Sequence, residues 1–125
     1  MKAVVDTSAL VHLWRDGGRA LDVVTHAVVP LATHAELMVG LEAAVDPARE
    51  RRRLEGTYAA LHAEVVAPNQ QTAQHWARLR DQLRRKGRKL PHNDLWIAAA
   101  AIELGLPLIS LDRHHQGLPG MALLP

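Results

Sequence analysis

The 125-residue sequence has no cysteine and no phenylalanine. Without a thiol there is no disulfide, no thiolate nucleophile, no iron–sulfur cluster and no cysteine-ligated zinc. Aromatic residues make up 3% of the chain: Trp14, Trp76, Trp96 and Tyr58. Four rings are too few for a sheet face that stacks successive bases. Long apolar runs are missing as well, and nothing approaches the roughly 18–20 consecutive apolar residues of a membrane helix. Met1 to Leu13 lacks a signal-peptide pattern, because Asp6 and His12 break its apolar run. These absences predict a cytoplasmic protein without a membrane partner. There is no Walker A loop, no G-x-G-x-x-G loop, no nucleophile elbow around Ser8 or Ser110, and no pair of histidines four residues apart. His34-Ala35-Glu36 matches half of a zinc-deaminase signature whose other half requires cysteine. Nucleotide cofactors, serine hydrolysis and zinc chemistry are therefore disfavoured.

What is present suits one globular domain, residues 1–125: 48% hydrophobic and 22% charged. The net charge of +2 conceals an uneven distribution, since twelve of the fifteen basic residues are arginine. Arg78, Arg80, Arg84, Arg85, Lys86, Arg88 and Lys89 share one stretch with Asp81 as its sole acid. Guanidinium forks bind phosphate bidentately, so such a stretch suits a nucleic-acid backbone. A plain solvated helix face explains it equally well.

Short apolar runs alternate with helical patterns. Ala3-Val4-Val5, Ala27-Val28-Val29, Glu64-Val65-Val66 and Leu108-Ile109-Ser110-Leu111 are expected as strands, with Met121 to Leu124 as a final short one. Helices are expected from Asp6-Thr7-Ser8 to the Gly17-Gly18 break, over Leu21 to His26, from about Ala32 to Ala44 and from Pro47 past Tyr58. Two more should run through Ala73 to Leu83 and Leu95 to Leu104. Thr33-His34-Ala35-Glu36 has the form of a capping box, and Gly105 with Pro107 reads as a helix stop. This alternation predicts an open α/β sheet with helices on both faces.

In such sheets ligands collect at the carboxyl ends of the strands. Asp6 and Asp112 follow the first and fourth predicted strands, and Glu36 and Asp94 begin helices, so all four acids are expected at one sheet edge. Four clustered carboxylates need a counter-charge. A hard divalent cation, Mg²⁺ or Mn²⁺, suits oxygen ligands and supports phosphoryl chemistry. Each acid also has a structural reading. Asp6 would cap a helix, Glu36 would complete the capping box, Asp94 would sit at a helix start capped by Asn93, and Asp112 would be a turn residue.

The same residues resemble a known family. Val4-Val5-Asp6-Thr7-Ser8-Ala9-Leu10, Glu36-Leu37-Met38-Val39-Gly40-Leu41, Asn93-Asp94-Leu95-Trp96-Ile97-Ala98-Ala99 and Leu108-Ile109-Ser110-Leu111-Asp112-Arg113-His114 are similar, in order and spacing, to the four motifs of PIN domains. Over nearly the whole chain the sequence resembles the small VapC-type toxins of bacterial toxin–antitoxin pairs. The resemblance implies a three-layer α/β/α sandwich around a mostly parallel five-stranded sheet. It implies an Mg²⁺- or Mn²⁺-dependent endoribonuclease with RNA as substrate, a VapB-type antitoxin as partner and a homodimeric state. Asp6, Glu36, Asp94 and Asp112 would be its acidic quartet. Asp6 and Asp94 would be the main metal ligands, and Glu36 and Asp112 would complete the cage or hold the attacking water. Ser8 and Ser110 would donate to the carboxylates, or alternatively pack the strand ends, and Arg84, Arg85 and Arg88 would contact RNA. The fourth motif departs from the pattern, with His115 where phenylalanine is common. The other functions weighed are an inactive PIN-like domain that only binds RNA or protein, and a phosphatase of the haloacid-dehalogenase kind. The second lacks its paired aspartates, since Ser8 takes the place of one. A phosphoacceptor receiver domain lacks its strand-3 aspartate.

Overall fold

Alternation of side chains along a strand sends neighbouring residues to opposite faces of a sheet, and here that alternation sets the layering. The computed structural model describes residues 1–16, 23–112, 115, 117, 118, 123 and 124. Its elements are β1 (Lys2–Val5), α1 (Thr7–Asp16), β2 (His26–Pro30), α2 (Leu31–Glu42), α3 (Pro47–Ala60), β3 (Glu64–Val66), α4 (Gln70–Arg85), α5 (His92–Leu104), β4 (Leu108–Ile109) and β5 (Leu123–Leu124). The sheet order is β3-β2-β1-β4-β5. Four strands form its body and the two-residue β5 adds an edge. Every described pairing is parallel, including Val4 against both Val28 and Leu108. The sheet is thus wholly, not mostly, parallel among the described residues.

Ala3, Val5, Ala27, Val29 and Ile109 face one side, where they pack with Leu10 of α1, Leu37 and Leu41 of α2 and Leu54 of α3. Val4, Val28 and Leu108 face the other, against Ile97 and Ala101 of α5. The helix α5 is apolar all round because it is covered twice. Its Leu95 and Ala98 pack outward against Leu79 and Leu83 of α4, so α4 forms an outer layer. Gly105 caps α5 at φ 63°, a left-handed turn that glycine adopts without strain. Gly87 does the same beyond α4 at φ 67°.

Several expectations are corrected. The α2 helix begins after Pro30 without a side-chain cap. Thr33 lies inside it, buried, with its hydroxyl 3.4 Å from the carbonyl of Val5, so there is no capping box there. A capping box does occur at α4, between Asn69 and Thr72, and starts that helix ahead of Ala73. Asn93 is not the cap of α5, which begins after Pro91. The fourth strand stops at Ile109 rather than Leu111. The amide of Leu111 donates to Ser8 Oγ (3.1 Å) and that of Asp112 to Ser110 Oγ (2.9 Å), so side chains draw this backbone out of the sheet ladder. No helix covers Val23 to His26. Thr25 N donates to the Met1 carbonyl (2.8 Å), aligning this segment with the start of β1. The expected break at Gly17-Gly18, the Leu21–Asp22 part of that helix, and Met121 and Ala122 lie outside the described residues.

Candidate active site

The strand order turns back between β1 and β4, since the chain runs outward from β1 to β3 and then returns to the other side of β1. A parallel sheet opens a crevice at this point. Asp6 follows β1 directly, and Ser110 follows β4.

Asp6 is 2% exposed. A buried carboxylate is costly unless its oxygens are hydrogen-bonded, and both are. Oδ1 accepts from Ser8 Oγ (2.8 Å) and from the amide of Ala9 (3.0 Å), which also caps α1. Oδ2 accepts a short hydrogen bond from Ser110 Oγ. The capping reading of Asp6 and its place at the sheet edge are therefore compatible. Ser8 and Ser110 each donate to it, and each also receives a backbone amide from the segment 111–112.

The other three acids line a single open cleft of about 590 Å³, together with Pro91, His92 and Asn93. Glu36 projects from α2, Asp94 from the first turn of α5, and Asp112 from the loop after β4. Glu36 Oε1 accepts from Thr7 Oγ1 (3.0 Å), the residue after Asp6. Asp112 is joined to Asp6 through Ser110. Asp6 thus lies beneath the cleft and is wired to its wall.

His115 completes this floor. It is fully buried, with Nδ1 3.1 Å from Ser110 Oγ and 3.5 Å from Asp6 Oδ2, and Nε2 4.0 Å from Asp94 Oδ1. The family resemblance marks His115 only as a departure from an aromatic position. Its spacing of five from Ser110 across a turn carries no periodic signal. The Thr7–Glu36 bond was equally illegible, since it joins residues 29 apart.

Among the described residues, no three acidic or histidine side chains form a ready-made metal cluster. The donor set still fits a hard cation. Its exposed members are carboxylate oxygens around a roomy, open cleft, and magnesium commonly takes one or two carboxylates and keeps several waters. Asp6 and Asp94 would be its main ligands, with Glu36 and Asp112 at the cleft adjoining.

A second groove, about 730 Å³, borders this cleft and shares Pro91 and His92 with it. Arg80, Arg84, Arg88 and Lys89 line it. Arg85 is on the same helical turn, outside that lining. Arg84 and Arg85 both reach Asp81, at 2.8 and 3.0 Å, and hold its carboxyl below the usual range, the Arg84 hydrogen bond contributing most. Arg80 bonds His92 Nε2 (3.1 Å) and lies over the Trp76 ring. Away from both grooves, burial pushes the phenol of Tyr58 up to about 12, where it pairs with His34.

A family model of the PIN domain matches residues 3–120. The chain belongs to the PIN-domain family. It is 37% identical to Ribonuclease VapC5 of Mycobacterium tuberculosis, with 95% of this chain and 89% of that protein aligned. Among solved structures it is similar to VapBC-5 of M. tuberculosis, a member of the VapBC family of toxin–antitoxin systems (29% identity, TM-score 0.75, covering 98% and 97% of the two chains). It is also similar to the DNA-bound VapBC of Salmonella typhimurium (26% identity, TM-score 0.86, 98% and 96%). No helix among the described residues is long and apolar enough to cross a membrane.

Proposed function

We propose that this PIN domain is a divalent-metal-dependent endoribonuclease of the VapC kind, the toxin of a pair whose VapB-type antitoxin neutralises it. The observation that carries the reading is the cleft lined by Glu36, Asp94 and Asp112 above the buried, hydrogen-bonded Asp6. The ribonuclease and toxin–antitoxin assignments of its relatives support the substrate and partner. A bound Mg²⁺ or Mn²⁺ would supply an acidified water and neutralise charge on the scissile phosphate. The chain's own part is to hold that chemistry still. Ser8, Ser110 and the Ala9 amide fix both oxygens of Asp6, and Thr7 fixes Glu36. Glu36 or Asp112, facing open solvent in the cleft, would orient the attacking water and take its proton. Arg80, Arg84 and Arg88 would hold the RNA backbone in the adjoining groove, delivering a phosphate past His92 to the carboxylates. Arg85, on the same turn of α4 but outside the groove, would add to this field.

The test is RNA cleavage by the purified protein with Mg²⁺ or Mn²⁺, with EDTA, and in Asp94→Asn. Cleavage should require the metal and fall on the order of 10³-fold in the variant, since metal-centred stabilisation is worth several kcal/mol. An unchanged unfolding transition in Asp94→Asn would show that the fold survives. Cleavage that persists in EDTA and in the variant would overturn the reading.

A further inference from the structure

We propose that His115 is a positioning residue that locks Asp6 in its metal-binding orientation through Ser110, an inference that rests on the metal-dependent reading above. The valence of one hydroxyl fixes the arrangement. A serine Oγ donates once and accepts twice. Ser110 Oγ spends its proton on Asp6 Oδ2. One of its lone pairs takes the amide of Asp112 at 2.9 Å. His115 Nδ1, 3.1 Å away, must therefore donate into the remaining lone pair, so the proton sits on Nδ1.

With all three valences filled, the Ser110 hydroxyl cannot rotate, and its hydrogen bond to Asp6 has one direction. A carboxylate with a fixed donor on each oxygen presents its remaining lone pairs at a fixed angle. Groups that orient a metal ligand in this way tune affinity without touching the metal. A phenylalanine could fill the same buried volume, but it would leave Ser110 one donor short and free to turn. The other edge of the ring carries a second sign of the same design. Nε2 is buried, has no hydrogen-bond partner among the described residues and faces Asp94 Oδ1 at 4.0 Å. Polar groups are rarely buried in this way merely to fill space. The imidazole thus spans the gap between the two acids expected to ligate the metal, one just after β1 and one on α5.

Two measurements on the full chain test this. Nitrogen NMR of the metal-free protein reads the tautomer, and the Nδ1-protonated form is expected; an Nε2-protonated neutral ring would overturn the assignment. Binding of Mn²⁺ alone, followed by the EPR signal of the free ion, then compares His115→Phe, His115→Gln and His115→Asn. An asparagine amide reproduces the Nδ1 donor, whereas glutamine reaches the Nε2 position. Mn²⁺ affinity should fall about 10–100-fold in the Phe and Gln variants and return to near the wild-type value in His115→Asn. Wild-type affinity in His115→Phe or His115→Gln would reduce the ring to packing and sink the proposal. So would equal loss in all three variants. If His115→Phe does not fold, the Asn–Gln pair still decides. Wild-type protein that binds no Mn²⁺, against whatever tautomer, would instead bring down the metal-dependent reading on which the proposal stands.

Discussion

Two surfaces meet at His92, and they are built in opposite ways. On one side short acids are held by hydroxyls and amides, with Asp6 and His115 nearly or wholly removed from solvent. On the other, long cations extend into water, and the side chains of Arg84 and Arg85 are each 73% exposed. The acidic side ties its carboxylates down with hydrogen bonds, as bond making and breaking require of reacting groups. The cationic side supplies charge over a wide area and does not need fixed positions, because counterion release depends on how many phosphates are neutralised. The difference explains why neutralising net charge would say little about either: position matters in one and number in the other.

The contrast can be tested by breaking each side in turn. Asp6→Ala should have the largest effect on stability. It removes the α1 cap, worth ~1 kcal/mol, and leaves the buried Ser110 hydroxyl without its acceptor, at about 1–3 kcal/mol. Denaturant unfolding should show a loss of about 2–4 kcal/mol from the two effects together, along with loss of cleavage. An Asp6→Ala protein as stable as wild type would mean that the hydrogen bonds around this acid are incidental. Replacing Arg84 and Arg88 with glutamine should leave unfolding nearly unchanged. RNA binding should weaken alike for unrelated sequences, and the slope of log affinity against log salt should shrink by about 0.7 per lost phosphate contact. An unchanged slope would return these arginines to a solvated face.

The smallest effect is expected at Asp81. Asp81→Asn frees Arg84 and Arg85 from an exposed pair and should leave the unfolding transition nearly unchanged. It should strengthen RNA binding, measured at constant salt. The same release should occur in acid. Because the carboxyl is held below its usual range, its pairing persists below the pH at which an ordinary carboxylate protonates. It is lost only as the pH falls through the lowered value. RNA binding that weakens in Asp81→Asn would show that Asp81 organises the groove instead of competing with it.

How much of this was legible in the sequence follows the same division. The apolar runs and helical periods located nearly every described element, because burial imposes a local pattern. The edge on which Asp6, Glu36, Asp94 and Asp112 stand followed from the alternation of strands and helices. Boundaries went astray where a side chain competed with the backbone, as Ser8 and Ser110 do beyond Ile109, or where proline began a helix without a cap, as at Pro30 and Pro91. The links that assemble the site, from Thr7 to Glu36 and from His115 to Ser110, are matters of tertiary geometry. The arginine stretch was visible as composition, but its opening onto the acidic cleft at His92 was not.

The bond between Ser110 and Asp6 spans 104 positions of the chain, and this gives the protein a clock. Synthesis proceeds from the amino end, and domains form as their parts emerge. Asp6, Glu36 and Asp94 are all made before β4 exists to take its place beside β1. Until Leu108 and Ile109 pair with Val4 and Val5, nothing holds Asp6 from the β4 side. A growing chain therefore runs past Ile109 before Asp6 can be fastened from that side, and chains broken off before Ser110 lack the residue that does so.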